Sequence, residues 1–495
     1  MRKILIFCLV FLLSCAQRPL ESNTNTINVP TSNLSPSEHL EISNQPEHVK
    51  LARKIEETID QSSFSKARWG IFVLSLNNRK VLVSKDSDKA FIPASVMKIL
   101  TSVVALDKLG KDFRWKTYVF AKGSLENGVL NGDLVLYGTG APDFDDLAVK
   151  ELVNQLKAKG LKTVKGNIIG DDSFFIGDKL SDGWTWNELQ WYYGAEASAL
   201  SINLNQTEIQ IKNGKLLPTD DFIEVSQNLN LSNEDSIGVK RGLENNKFYI
   251  WGEGKSLSVK VSVQNPSLWA AKTLSEEMKK SGIKIEGSIK SADWTSIERT
   301  DTQKATEIAS IESKPLGEIV KKMNKDSVNL YAELILRTLG RLFGREIPEE
   351  EPKLRKVRGD DRAGTAVIKS WLKEKGIILK ENEVISDGSG LSRTNLLTPE
   401  TVVRVLVAAT QIKDSQIFFE SLPTAGKDGT LRNRLIQVSG QVFAKTGSIF
   451  SVASLAGYIK KPSGDFLSFV IFCNNFPVKN DVNLLIDQIV TDIAT

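Results

Sequence analysis

Residues 93–106 read Pro93-Ala94-Ser95-Val96-Met97-Lys98-Ile99-Leu100-Thr101-Ser102-Val103-Val104-Ala105-Leu106. Proline just upstream and an apolar, helix-forming run downstream place Ser95 at a helix N-terminus. There the macrodipole and the free N–H groups favour developing negative charge. Ser95 and Lys98 stand at i and i+3, so hydroxyl and amine share one helix face, and a lysine so placed can activate a serine. Alone the pattern decides little. Ser-x-x-Lys recurs at Ser63–Lys66, Ser281–Lys284 and Ser370–Lys373, each readable as a polar pair on a helix.

Composition explains why a lysine would be needed. The chain has 495 residues, 41% hydrophobic and 25% charged, with a formal net charge of +4. Its only two histidines, His39 and His48, lie in a polar stretch before the first strand pattern and read as solvated side chains. A Ser-His-Asp or Cys-His hydrolase, a His-rich zinc site and a histidine proton shuttle are therefore excluded from the folded body. Of three cysteines, Cys8 and Cys15 sit in the N-terminal apolar segment, leaving Cys473 alone in Phe469-Val470-Ile471-Phe472-Cys473. That rules out an intrachain disulfide framework or a CxxC metal motif, and Cys473 reads as a small buried hydrophobe. No metal or other cofactor is implied.

The N-terminus reads as an address. Arg2 and Lys3 precede the apolar run Ile4–Leu13 and then Ser14-Cys15, the plan of a secretory signal too short to span a bilayer. Leu12-Leu13-Ser14-Cys15 resembles the bacterial lipobox, which implies a signal peptide over 1–14 and acylation of Cys15; the alternative is ordinary cleavage without lipid. Loss of Arg2 and Lys3 takes the net charge from +4 to +2, too near neutral for a nucleic-acid binder on charge grounds. Residues 16–45 are rich in Ser, Asn, Thr, Pro and Glu without apolar period, so 15–47 reads as a lipidated flexible tether. A flexible chain of about 30 residues spans about 30 Å, enough to hold a domain off a membrane.

Beyond the tether, Val49–Ile59 is helical in pattern, and Ile71–Leu76, Asn77-Asn78 and Lys80–Val83 form a strand, turn and strand. Residues 113–300 change to short strand-like runs with Gly and Asn turns, such as Lys247–Trp251. Helical patterns return near Ile308. A last hairpin, Ala453–Ile459 and Phe466–Phe472, precedes Val482, Leu485, Ile486, Ile489 and Ile493 at amphipathic helix spacing. Hairpins at both ends of the body suggest one shared sheet with the middle inserted.

Two further elements follow Ser95–Lys98 in order. Ser327-Val328-Asn329 opens a helix-like run, although Ser-x-Asn also occurs at Ser201–Asn203 and Ser226–Asn228. Lys445-Thr446-Gly447 occurs once, ending the strand-like Gln441–Ala444, where glycine permits close approach of a ligand to backbone. The gaps are 232 residues (327 minus 95) and 118 residues (445 minus 327). The order SxxK, SxN, KTG marks penicillin-recognising serine enzymes. With the long first gap, the sequence resembles the class C low-molecular-mass penicillin-binding proteins, D-alanyl-D-alanine carboxypeptidase/endopeptidases. Asp387-Gly388-Ser389-Gly390-Leu391-Ser392-Arg393, Leu422–Leu431 and Gly170–Phe175 also match that family's pattern, and the likeness spans about residues 50–490.

The resemblance implies an α/β (α+β) fold: a β-lactamase/transpeptidase-like domain, its antiparallel sheet flanked by helices, interrupted by two inserted β-rich domains. The expected division is 48–112 and 301–495 for the catalytic domain, 113–172 and 259–300 for inserted domain II, and 173–258 for inserted domain III. It further implies that Ser95 attacks the carbonyl between two terminal D-alanines of peptidoglycan stem peptides, with Lys98 as general base. Ser327 would relay a proton, Asn329 would orient Lys98, and Lys445 with Thr446 would take the substrate carboxylate. Gly447, the backbone of Ser448, and Arg393 are the other substrate-binding candidates, Arg393 reading equally well as a structural ion pair. A lysine with the ordinary pKa near 10.4 must fall by about 3, roughly 4 kcal/mol, to serve as a base at pH 7. Partial burial and Lys445 nearby would both push it down. β-Lactam antibiotics, which imitate D-Ala-D-Ala, should acylate the same serine. Where the family often has an acid before proline, this chain has Gly138-Thr139-Gly140-Ala141-Pro142, with Asp143 after it as the candidate substitute. The competing readings are a β-lactam hydrolase of the same superfamily and an idle peptidoglycan-binding lipoprotein. Either way the protein belongs in the periplasm or cell envelope.

Overall fold

The computed structural model describes residues 33–234, 236–348, 358–477 and 481–495. The signal segment, the lipobox and Cys15 lie outside the described residues.

A six-stranded sheet joins the two ends of the body. Its spatial order is Glu41–Ile42, Lys80–Lys85, Arg68–Ser75, Phe466–Asn474, Val452–Lys460 and Val442–Ile449. Its central seam is antiparallel, with Phe472 opposite Gly70 and Val470 opposite Phe72. This seam explains the apolar run that ends at Cys473. Alternate side chains of a strand point to opposite faces, and both faces are covered. Phe469, Ile471 and Cys473 pack with Ile55, Ile59, Ile486 and Ile489, which belong to the helices Pro46–Asp60 and Val482–Ala494. Val470 and Phe472 pack on the other side with Val103, Leu106 and Val403, from the helices Met97–Leu109 and Pro399–Ala409. Burial pushes the Cys473 thiol up to about 12, which leaves it unreactive.

Between the two halves the chain builds separate sheets. A seven-stranded sheet contains Lys116–Glu126, Val129–Tyr137 and Ile168–Asp171. The helices Asp146–Ala158 and Pro266–Lys280 pack on one another and on this sheet. Two three-stranded sheets follow: Glu224–Asn230, Lys247–Glu253 and Ser236–Arg241, then Leu257–Ser262, Gln206–Lys212 and Lys215–Leu216.

Four expectations need correction. The tether does not extend to residue 47. Leu34 is 1% exposed within the main core, Gln411 Nε2 donates to its carbonyl at 2.6 Å, and Glu41–Ile42 pairs with Lys80–Val81 as an edge strand. A few apolar residues without period were enough to dock this segment, which is why composition read it as free. Within it His48 is half-buried, its Nδ1 2.7 Å from Ser43 Oγ, rather than solvated. Nor does the catalytic unit resume at 301, because Thr306–Glu312 pairs with Lys116–Glu126. The chain returns with the helix Leu316–Lys325. Likewise Leu257–Ser262 pairs with Gln206–Lys212 across the expected boundary at 258.

Candidate active site

The turn that carries Ser95 is held by close backbone packing. Ala94 has φ 46°, and Ala94–Val96 forms a single 3₁₀ turn before the helix Met97–Leu109. A non-glycine residue in left-handed backbone is costly and persists only where its surroundings hold it. Two glycines allow that grip. A Cβ on Gly390 would stand 1.8 Å from the Ala94 carbonyl oxygen, and one on Gly447 would stand 2.9 Å from the Ser95 nitrogen. The segment 387–392 and the strand Val442–Ile449 therefore close on the Ser95 turn from two sides. Ser454 Oγ, on the next strand, donates to the Pro93 carbonyl at 2.7 Å.

Behind Ser95 lies Lys98, fully buried. Its Nζ is 2.9 Å from Ser95 Oγ, 2.7 Å from Asn329 Oδ1 and 2.7 Å from the Ser389 carbonyl. Asn329 Nδ2 donates to the Tyr193 carbonyl at 2.9 Å, which fixes the amide with its oxygen toward Lys98. An ammonium has three donors and no acceptor, so these three groups satisfy the charged form. The neutral amine has one lone pair, and two of its three neighbours can only accept. Ser95 alone can donate, so the lone pair of neutral Lys98 must face the Ser95 hydroxyl. Burial, opposed by the charges of Asp387 and Glu333, brings the amine from 10.5 to about 7. The sequence had suggested Lys445 as a second cause. The repulsion between the two amines instead acts at Lys445, which burial first and Lys98 second hold well below the ordinary lysine value.

Lys445 comes from the strand Val442–Ile449 and donates to Ser327 Oγ and to the Thr446 carbonyl, each at 2.9 Å. Ser327 has φ 57° and sits between the helices Leu316–Lys325 and Asn329–Leu339. That single left-handed residue turns its hydroxyl toward the strand while Asn329 begins the next helix. The five predicted groups thus form two sets, Ser95 and Asn329 with Lys98, and Ser327 with Lys445. Ser95, Ser327 and Asn329 line a cleft of about 1260 Å³ whose walls include Tyr192, Glu188, Phe450 and Ser448, with the two lysines buried behind them. Thr446 Oγ1 donates to Thr430 Oγ1 at 2.7 Å beside that cleft.

Residues 51–494 match the D-Ala-D-Ala carboxypeptidase 3 (S13) family. The chain belongs to that family. It is 27% identical over 427 residues to D-alanyl-D-alanine carboxypeptidase DacB of Haemophilus influenzae, covering 82% of this chain and 85% of the relative. It is 26% identical over 457 residues to the D-alanyl-D-alanine carboxypeptidase of Actinomadura sp., covering 86% and 81%. The crystal structure of penicillin binding protein 4 (dacB) from Haemophilus influenzae superposes with a TM-score of 0.77 at 26% identity, over 89% of this chain and 98% of that one.

In this S13 carboxypeptidase the remaining candidates are placed less centrally. Arg393 donates from Nη2 to the Phe450 carbonyl at 2.9 Å, tying the 387–393 segment to the cleft rim through a carbonyl rather than through an ion pair. Asp143 does not line the cleft; its Oδ2 accepts from the Lys314 backbone N–H at 3.0 Å. The expected substitute for the family's acid is thus engaged elsewhere. Among the described residues no cluster of His, Cys, Asp or Glu is arranged to hold a metal ion, and no helix is long and apolar enough to cross a membrane.

Several supporting residues went unread. Asp387 accepts from Gly390 N at 2.8 Å and Ser392 N at 2.7 Å, and also from Trp184 Nε1 at 2.9 Å, so an inserted-region tryptophan helps shape the loop that holds Lys98. Lys325 binds Asp428 at 2.7 Å and fixes the 422–431 loop that carries Thr430. Glu333 offered a signal, a lone charge inside Leu330-Tyr331-Ala332-Glu333-Leu334-Ile335-Leu336, since carboxylates are almost never fully buried without a partner.

Proposed function

We propose that the protein removes the terminal D-alanine from peptidoglycan stem peptides through an acyl-enzyme on Ser95, and cleaves D-Ala cross-links by the same route. Ser95 Oγ attacks the carbonyl carbon between the two D-alanines while its proton passes to Lys98 Nζ. The C–N bond then breaks, and the leaving amine takes the proton held by Lys98, relayed through Ser327 Oγ. Water hydrolyses the resulting ester, with Lys98 accepting the water's proton and returning it to the departing Ser95 Oγ. Lys445 and Thr446 bind the terminal carboxylate, and Asn329 holds both Lys98 and the substrate amide. The backbone N–H groups of Ser95 and Ser448 stabilise the oxyanion.

The observation that supports this reading above the others is the buried Lys98 amine, near pH 7 in its pKa and 2.9 Å from Ser95 Oγ. A base poised at the working pH is what general-base catalysis requires. A β-lactam would enter the same reaction and remain as a penicilloyl ester. An N-terminal lipid on Cys15 would place the enzyme in the cell envelope facing its polymer.

Purified protein from residue 33 onward, incubated with benzylpenicillin, should gain the mass of one penicilloyl group, and Ser95→Ala should not. The same protein should release D-alanine from pentapeptide muropeptides and convert cross-linked dimers to monomers. Absence of D-alanine release together with rapid penicillin turnover would replace the proposal with the β-lactam hydrolase.

A further inference from the structure

We infer that Glu333 is a positioning residue for the Ser95–Lys98 pair, acting through the Ser389 carbonyl. The inference rests on the roles proposed above for those two residues.

Glu333 is on the helix Asn329–Leu339, one turn beyond Asn329, and is fully buried. Its Oε1 accepts from Gly388 N at 3.0 Å and from Ser389 N at 2.9 Å. Its Oε2 accepts from Ser181 Oγ at 3.0 Å and from Arg337 Nη1 at 2.9 Å. All four of these groups donate to the carboxyl, so the site fits the carboxylate, although burial and Asp387 both push its pKa up. The two backbone donors are consecutive, and the carbonyl that follows them is the one Lys98 donates to at 2.7 Å. Those N–H groups belong to the 387–388 and 388–389 peptides, so the carboxylate places Ser389, while the next peptide, which carries the Ser389 carbonyl, is held at its Gly390 N–H by Asp387. One helix thus supplies Asn329 directly and Ser389 indirectly, two of the three groups that orient the Lys98 amine. The third is Ser95, toward which the lone pair is left to point.

The charge has a second effect. Lys98 is faced by Asp387 and Glu333 as anions and by Lys445 as the other amine. Removing the Glu333 charge favours the neutral amine, so the acid limb of acylation should move to lower pH.

The test is the benzylpenicillin acylation rate against pH for wild type, Glu333→Gln and Glu333→Asp, with KM and the maximal rate separated. Glu333→Gln should shift the acid limb to lower pH by about half a unit or more and lower the maximal rate by about 10- to 100-fold, with little change in KM, through misplacement of the amine. Glu333→Asp keeps the charge but cannot span both backbone donors, so it should lose rate with the limb unmoved. Wild-type rate and limb in a folded Glu333→Gln would overturn the inference. If that variant does not fold, Glu333→Gln combined with Arg337→Gln removes both charges and carries the same readout. Failure of both to fold would assign the pair to structure alone and overturn the inference. A wild type that is not acylated would instead refute the proposed function.

Discussion

Two buried lysines meet at this site in different surroundings. Lys98 lies at the start of a helix with three oxygen acceptors, and the charges of Asp387 and Glu333 partly offset its burial. Lys445 lies within a strand, is equally buried, and donates to one hydroxyl and one carbonyl, and among the described residues Lys98 is the charge that acts on it. The contrast shows how one residue type can serve two ends. A desolvated amine beside two carboxylates settles near pH 7 and can trade a proton. One with only a like charge for company gains most when an anion arrives, because the carboxylate restores its charge in a site of low dielectric. Lys98 thus suits proton transfer, and Lys445 suits carboxylate binding.

Substitutions can break this contrast, most severely at Lys98. Lys98→Met should lower penicillin acylation by about 10²–10⁴-fold, the usual value of a general base, measured by mass spectrometry at fixed times; an effect as small as that of Lys445→Met would make the two amines equivalent. Lys445→Met should cost about 10- to 100-fold in kcat/KM, as expected for loss of a charge-assisted hydrogen bond. Its defect should shrink on a substrate whose terminal carboxylate is esterified, whereas that of Lys98→Met should not.

The pH profile sharpens the contrast further. Only the neutral form of Lys98 accepts a proton, so acylation should rise as pH increases through about 7, the value burial gives it, and then level. Below that value the rate should fall about tenfold per pH unit. A limb near 10 would mean that burial does not set the amine. The smallest effect is expected at Thr446→Val, about 10-fold in KM from loss of one hydroxyl hydrogen bond to the substrate carboxylate, with the pH limb unchanged.

Much of this was legible in the residues, for identifiable reasons. The lack of any histidine after His48 required another proton carrier, and Ser95–Lys98 met that requirement at i, i+3 spacing. The alternation hidden in Phe469–Cys473 could not be read, because a strand buried on both faces is apolar throughout. Residues 33–47 were misread because docking needed little more than Leu34 in a core and backbone carbonyls for Gln411 and Arg404. Thr306–Glu312 was assigned to the wrong unit because a strand's sequence does not name its partner. Asp143 was a neighbour in sequence to the family's missing acid, yet its carboxylate turns to Lys314.

By itself the sequence determined the chemistry on offer: a serine and a lysine one helical turn apart, a second serine, asparagine and lysine in a recognisable order, and no imidazole after His48. Each follows from residue identity and local spacing. Only the tertiary structure decided how the Ser95–Lys98 pair is assembled and where its proton goes. Gly390 and Gly447 let two distant segments close on the Ser95 turn, and Asn329 and Ser389 can only accept from Lys98. Those contacts join residues more than 200 positions apart, and no local pattern encodes the burial that sets an amine's charge.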